Sequence, residues 1–383
     1  MKVVEIASFI AGPYAGQLLA DLGADVVKVE PPGKGDPFRA FAGQNYSPNF
    51  VGYNRNKRSI EADIRSEAGQ EIVRGLVQRS DVLVENFRPG VMRRFGLDYP
   101  AMRRLRPQII YCSVSGFGQD GPSAGRPVYD TVGQALGGLL SQLIDPEHPR
   151  IIGPAFTDGL AGLTAAYGIL AAIHARDLSG VGQHVDVSMF ASTIAFLSSE
   201  VARYYRTGEL GGPRSRPSIS QSYAFTCRDG RVITVHLSSP LKFWQAFVAA
   251  IDRPDLLDDP RFDTREGRIH NFEELHELLA PLFRTRDLDD WRRSFSAFDV
   301  PHAQVNTIQD VFLEPQARHL GLELRMKHPS EGEVVTVAPP VIFSDTPVAN
   351  LSPPPSLGEH TREVLGELGF TLADPHESQK EGN

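Results

Sequence analysis

Strand-like and helical segments alternate along the first third of the sequence, and this alternation constrains the fold more than any other feature. Residues 3–7 and 25–29 are short β-type runs, and apolar residues at helical spacing lie between them near residues 15–22. The pattern continues through strands and helices at 59–64, 67–78, 81–84 and 109–114. Such alternation predicts a Rossmann-like, mostly parallel sheet with helices on both faces and functional sites at the carboxyl ends of the strands.

A second, smaller domain is expected after a linker. The chain has 383 residues, more than the roughly 100 to 200 of a typical single domain. Glycine and proline concentrate at residues 208–217, and two strand patterns follow at 223–226 and 232–236. Helical patterns around Trp244, Leu275 and Trp291 complete a unit that we predict to be α+β.

Composition excludes several classes of protein. The formal charge of -8, from 39 basic and 47 acidic residues, argues against nucleic acid as a partner. Two cysteines, Cys112 and Cys227, are too few for a disulfide framework or a cysteine-based metal site. We expect no signal peptide, and the apolar run 160–173 is shorter than the ~20 residues of a membrane span. The sequence therefore predicts a cytoplasmic protein without a membrane partner.

The first β-α turn resembles a nucleotide-binding turn only superficially. It contains Gly12, Gly16 and Gly23, and Glu30 ends the next strand. A dinucleotide site requires G-x-G-x-x-G, whereas Pro13 and Tyr14 stand where the backbone must approach a pyrophosphate. No histidine pair with the spacing of metal ligands occurs, so no metal is predicted.

Asp158 allows two interpretations. It precedes an apolar helical segment, where an aspartate commonly serves as an N-cap. Alternatively, the positive helix end keeps the carboxylate ionised as a nucleophile, and Gly159 leaves room for a substrate. Upstream, Asp130 is expected to cap the next helix, and Tyr129 either packs or donates a hydrogen bond into a site.

Motifs in a defined order along the chain resemble the class III CoA-transferases, also called the CaiB/BaiF family. The stretches that carry this resemblance are AGP at 11–13, LGADVVKVE at 22–30, NKRS at 56–59, DVLVENFRPG at 81–90, SGFG at 115–118, YGILAA at 167–172, residues 180–187, DPRF at 259–262, VP at 300–301 with VN at 305–306, and GEHT at 358–361. Together they cover essentially the whole chain. The resemblance implies an acyl-CoA:carboxylate CoA-transferase whose cofactor-like substrate is coenzyme A.

The resemblance also assigns residues to a site. Asp158 matches the catalytic aspartate of the family, and backbone N–H groups near Gly159 are candidates to stabilise the oxyanion. Tyr129 is placed beside the reacting thioester. The implied CoA-binding residues are Ile10, Ala11, Ala62, Asp63, Ile64, Arg65, Asn86, Phe87, Arg88, Arg94, Arg126, Pro127, Val128 and Tyr129.

Two departures from the family pattern are present. Pro31 stands where some members have an arginine after the strand, and Lys34 or Arg39 is expected to replace it. Residues 218–221 lack the glycine-rich loop of formyl-CoA transferases, which argues against a formyl or oxalyl substrate.

The family further implies an interlocked homodimer of ring-shaped chains. A large CoA-binding domain is expected from residues 1–210 and 326–383, with the small domain at 211–325 inserted between them.

Two rival functions remain at this point. An α-methylacyl-CoA racemase-like isomerase needs a histidine before the aspartate, but Tyr129 precedes Asp130, and tyrosine with a pKa near ~10 is a poor base. A non-catalytic acyl-CoA-binding protein would not require Asp158.

Overall fold

The computed structural model of the protein describes residues 1–41, 46–238, 241–348 and 351–370. The chain divides into two units. The first contains Met1–Leu139, Gly153–Ser198 and the chain from His319 onward; the second contains Leu140–Ile152 and Ser199–Arg318. The predicted division placed Leu140–Ile152 in the large domain, whereas in the structure this segment packs with the second unit.

The strands and helices of the described residues are numbered in chain order. The strands are β1 (Lys2–Ile6), β2 (Asp25–Glu30), β3 (Lys57–Glu61), β4 (Val82–Glu85), β5 (Ile110–Ser115), β6 (His184–Ser188), β7 (Ser222–Thr226), β8 (Val232–His236), β9 (His302–Gln304), β10 (Glu323–His328) and β11 (Gly332–Val337). The α-helices are α1 (Ala11–Asp21), α2 (Pro48–Val51), α3 (Glu67–Gln78), α4 (Val91–Arg94), α5 (Tyr99–Leu105), α6 (Asp130–Leu136), α7 (Phe156–Ser179), α8 (Met189–Phe196), α9 (Ser198–Thr207), α10 (Ser215–Ser220), α11 (Lys242–Ala250), α12 (Arg265–His270), α13 (Phe272–Phe283), α14 (Leu288–Ala297), α15 (Ile308–Val311), α16 (Pro315–His319) and α17 (Thr361–Leu368).

Six parallel strands form the sheet of the first unit, in the order β3-β2-β1-β4-β5-β6. Val3 of β1 pairs with Val26 of β2 on one side and with Val82 of β4 on the other. The predicted α/β class with a parallel sheet is therefore confirmed. Because the strand order reverses between β1 and β4, a crevice opens at the carboxyl ends of these two strands.

Alternate residues of the strands face two helical layers, as the period of a β-strand requires. Val3, Val82 and Ile110 pack in the cluster that contains α1 and α7. Val4 and Leu83 point to the opposite face, into the cluster that contains α3 and α5. Burial of each such aliphatic side chain contributes about 1.5–3 kcal/mol, so both layers are held firmly to the sheet.

Helix α7 passes close to α1 because glycine occupies the crossing point. A Cβ on Gly162 would lie 2.9 Å from the carbonyl oxygen of Ala11. Helix α7 has 24 residues, more than the apolar run 160–173 that the sequence shows. By length and composition alone, it could cross a bilayer. Ala161, Ala165 and Ile169 are nevertheless buried in the core of the first unit.

Three helical predictions differ from the structure. The helix expected after Asp130 ends at Leu136, because Gly137 follows and Gly138 has a left-handed φ of 82°. The sequence pattern also predicts one helix over residues 189–205, and in the structure it is interrupted at Leu197, between α8 and α9. Part of the expected linker at 208–217 and of the segment at 218–221 forms helix α10.

The second unit contains the antiparallel sheet β7-β8-β9. Its core is aromatic: Phe225, Trp244, Phe283 and Trp291 are all almost completely buried. Aromatic side chains contribute large buried areas, which explains how this short sheet is stabilised.

Candidate active site

Asp158 is the third residue of α7, not its N-cap. The N-cap is Ala155, which has no side chain able to cap the helix. Instead, Oδ1 of Asp130 accepts hydrogen bonds from the backbone N–H groups of Thr157 at 2.8 Å and Asp158 at 3.2 Å. The capping interpretation of Asp158 is therefore wrong, and Asp130 caps α7 although we expected it to cap α6.

The two carboxylates influence each other. Burial raises the pKa of Asp158 to about 7, and the nearby negative charge of Asp130 adds to the shift. The sequence led us to expect an aspartate kept ionised by the helix end. That expectation fails because the Asp130 carboxylate already occupies the positive end of α7.

Backbone amides near Gly159 cannot serve as free oxyanion donors, as the sequence had suggested. The N–H of Gly159 donates to the carbonyl oxygen of Ala155 at 3.2 Å, and the N–H of Phe156 donates to Pro154 at 2.9 Å. The start of α1 offers better donors. Its N-cap Ile10 makes no side-chain cap, and within the described residues the N–H of Ala11 has no acceptor.

Asp158 lies on a cavity of about 610 Å³, which we call the Asp158 cavity. Its wall contains eight of the residues that the family resemblance assigned to CoA: Ile10, Ala11, Asn86, Phe87, Arg88, Arg126, Val128 and Tyr129. Pro127 belongs to the same loop but is exposed and does not line the cavity. A Cβ on Gly159 would meet nothing within 4 Å, but Gly159 itself does not line the cavity.

A second cavity of about 750 Å³, the Arg65 cavity, lies over the carboxyl ends of the strands. It is lined by the other predicted group, Ala62, Asp63, Ile64 and Arg65, and by Lys34. Phe87 lines both cavities, which makes them neighbours. Arg94 is exposed and lines neither of them.

The structure distinguishes Lys34 from Arg39 as the replacement for the arginine that the resemblance leads us to expect at position 31. Arg39 is buried and forms a two-pronged ion pair with Glu30, with both N···O distances at 2.7 Å. Its third nitrogen donates to the carbonyl oxygen of Pro355. Arg39 is thus engaged within the protein, whereas Lys34 lines the Arg65 cavity.

A buried ionic cluster behind the site was not anticipated from the sequence. Nζ of Lys28 lies 2.8 Å from Glu5 and 2.9 Å from Asp36, and all three side chains are fully buried. Asp36 also accepts the N–H of Phe9, whose φ of 67° is left-handed. Phe9 in turn packs edge-on against Tyr129, at 6.1 Å between ring centroids. The signal was present in the charged residues inside apolar strands β1 and β2.

Comparison with known proteins identifies the relatives of this chain. A family model described as CoA-transferase family III matches residues 1–361. Human succinyl-CoA:glutarate CoA-transferase is 35% identical over 381 residues, which cover 96% of this chain and 85% of that protein. Succinyl-CoA--D-citramalate CoA-transferase of Chloroflexus aurantiacus is 33% identical over 381 residues, which cover 98% of this chain and 94% of that protein.

A solved structure agrees with these sequence matches. The crystal structure of a CaiB/BaiF family protein from Brucella suis superposes with a TM-score of 0.86 at 34% identity, covering 96% of this chain and 98% of that one. The relatives are CoA-transferases, which act on CoA thioesters, and the rival racemase and binding-protein functions are not needed to explain the site. Together with the cavity around Asp158, these matches show that the chain is a CoA-transferase and belongs to CoA-transferase family III.

Proposed function

We propose that this CoA-transferase moves CoA from a donor acyl-CoA to a free carboxylic acid through a covalent adduct on Asp158. The observation that carries the proposal is the position of Asp158. Its carboxylate shares a cavity with Tyr129 and Arg126. An ionised carboxylate in such a position can attack a thioester carbonyl.

The reaction proceeds in acyl-transfer steps that each conserve charge and atoms. The Asp158 carboxylate attacks the thioester carbonyl and expels CoA as a thiolate, leaving an aspartyl-acyl anhydride. The thiolate then attacks the aspartyl carbonyl, which releases the donor acid and leaves an aspartyl-CoA thioester. The acceptor carboxylate then attacks the aspartyl-CoA thioester and expels the CoA thiolate, which leaves a new anhydride. The thiolate attacks the acceptor carbonyl of this anhydride, which forms the product acyl-CoA and regenerates the Asp158 carboxylate. The N–H of Ala11, at the positive end of α1, is our candidate to stabilise the oxyanions.

Small dicarboxylic acids are the substrate class we propose. Relatives from human, Chloroflexus aurantiacus and Agrobacterium fabrum carry names that join succinyl-CoA or succinate to a second dicarboxylic acid. In this chain Arg88 and Arg126 line the Asp158 cavity. Either guanidinium can pair with the carboxylate that does not react.

CoA is proposed to extend across both cavities. The nucleotide end would lie in the Arg65 cavity, where Arg65 and Lys34 supply positive charge for its phosphates. Its pantetheine arm would pass Phe87, which lines both cavities, and reach Asp158. Arg94 remains a predicted phosphate contact that would have to reach from outside the cavity wall.

We also propose that the enzyme is a cytoplasmic homodimer without a metal or a membrane partner. Support for an interface comes from large apolar side chains that a single chain leaves in solvent, including Tyr205, Leu210 and Ile342. Burial of such side chains against another chain would remove apolar surface from water, which is favourable.

The test is covalent trapping. Wild-type protein incubated with succinyl-CoA and then with hydroxylamine or borohydride should carry one modified residue, Asp158, readable by peptide mass spectrometry. Asp158→Ala should bind CoA and remain folded while exchange falls by several orders of magnitude, because the group removed acts in the chemical step. Modification of another residue, or full exchange activity in the alanine variant, would refute the mechanism.

A further inference from the structure

Three neighbouring strands bring a glutamate, a serine and a histidine together on one face of the large sheet. Glu85 of β4 pairs in register with Ser113 of β5, and His184 begins β6. Glu85 and Ser113 are only 3% and 2% exposed. All three line a third cavity of about 460 Å³, in which the proposed reaction has no step.

Ser113 lies between the two other side chains. Its hydroxyl oxygen is 2.9 Å from Nε2 of His184, and it lies close enough to the Glu85 carboxylate to lower the pKa of that group. Burial lowers the pKa of His184, which favours the neutral ring. Glu85, Ser113 and His184 therefore form one connected polar group on β4, β5 and β6.

Glu85 is also bonded to the segment that follows it. Its Oε2 accepts the backbone N–H of Phe87 at 2.8 Å. Phe87 lines both the Asp158 cavity and the Arg65 cavity, and its neighbours Asn86 and Arg88 line the first of these. Asn86 is held from the other side by two hydrogen bonds with the backbone of Ser8. The wall shared by the two cavities is therefore fastened at Ser8 and at Glu85.

We propose that Glu85 is a positioning residue that holds Asn86, Phe87 and Arg88 in the conformation that binds acyl-CoA, and that Ser113 and His184 hold Glu85 in place. This inference rests on the proposed passage of CoA along Phe87. It assigns Glu85 no contact with the substrate. Glu85 should therefore affect the affinity for CoA and not the rate of the chemical step.

Charged groups surround Glu85 on several elements, and they bear on its protonation. Burial raises the pKa of Glu85 to about 7, and the charge of Asp186 on β6 adds to this, whereas Ser113 and the Phe87 N–H lower it. The same cavity is faced by Arg88 from the loop after β4 and by Arg93 from α4. It is also faced by Asp98 and Tyr99 at the start of α5. On β5, Tyr111 and Cys112 lie near Glu85. The ionised carboxylate is a stronger acceptor for the Phe87 N–H than the protonated form, so CoA affinity should decrease as the pH falls through about 7.

Titration calorimetry with free CoA tests this inference on the whole protein. Glu85→Ala should raise the Kd for CoA on the order of tenfold, since the Phe87 amide loses its buried acceptor. Glu85→Gln keeps a neutral acceptor for the Phe87 N–H, so it should bind CoA as the wild type does below pH 7 and more tightly than Glu85→Ala. The Kd of the wild type should change near pH 7 by more than the titration of CoA itself explains. The Kd of Glu85→Gln should lack this additional change.

Tyr111→Phe is the matched control. It removes one buried hydrogen bond on β5, to the carbonyl oxygen of Leu97, without touching residues 86–88, and should leave the Kd unchanged. Equal Kd values for wild type and Glu85→Ala, or an unaltered pH dependence in Glu85→Gln, would overturn the positioning role while leaving the transferase function intact. If even the wild type fails to bind CoA, the proposed function itself is wrong, and this inference with it.

Discussion

At the scale of single residues, burial and the neighbouring charge of Asp130 set the pH at which Asp158, the proposed nucleophile, becomes charged. Because attack requires the carboxylate form, the rate of CoA exchange should fall as the pH drops below about 7. Asp130→Asn removes the neighbouring negative charge, which lowers the pKa of Asp158. The acid limb of the rate profile should therefore move to lower pH, as measured by exchange rates at saturating substrates.

The asparagine variant is a close structural match for the wild type. Its side-chain oxygen can still accept the N–H groups of Thr157 and Asp158. The amide of Gln134, which now donates to Asp130 and has an unpaired buried oxygen, can rotate to accept from the new amide. An unchanged melting temperature would show that Asp130→Asn preserves these hydrogen bonds. An acid limb that stays in place would mean that Asp158 is not the group whose ionisation limits the rate.

At the scale of elements, the contact between α1 and β1 depends on one glycine. A Cβ on Gly16 would lie 1.9 Å from Oε2 of Glu5, the oxygen that pairs with Lys57 at 2.7 Å in a fully buried ion pair. Gly16→Ala should therefore lower the free energy of unfolding by about 3 kcal/mol, through overpacking and a strained buried ion pair. Urea titration followed by circular dichroism measures the change.

Gly366→Ala is the control for helix propensity. Gly366 is an exposed position in α17 where a Cβ meets nothing within 4 Å. Alanine there should be neutral or stabilise by up to ~1 kcal/mol, because alanine favours a helix more than glycine does. If both substitutions had the same effect, the cost at Gly16 would not come from the ion pair.

At the scale of the whole molecule, the proposed interlocked dimer predicts slow subunit exchange. Two chains that thread each other can separate only if a ring opens, which requires partial unfolding. Two differently tagged preparations mixed under native conditions should therefore form no mixed dimers over hours, but should do so after denaturation and refolding. Mass spectrometry of the intact dimers provides the readout, and rapid mixing would contradict threading.

Local sequence determined most of the secondary structure. The predicted helix at 67–78 and the predicted strand at 232–236 coincide with α3 and β8. Apolar spacing of a helix and the alternation of a strand depend on near neighbours, which a sequence displays directly. The ordered motifs also indicated the family, which the comparisons confirmed. The sequence also placed Asp158 next to an apolar helix, whereas the structure makes it the third residue of that helix.

Tertiary structure alone decided the chemistry around that helix. Burial raises the pKa of Asp158, and the Asp130 carboxylate adds to this shift and accepts from the amides of Thr157 and Asp158, 27 and 28 residues away. Glu85 shares a cavity with Ser113 and His184, which lie on other strands. Burial and charge depend on distances in space between residues distant in sequence, so no local pattern encodes them.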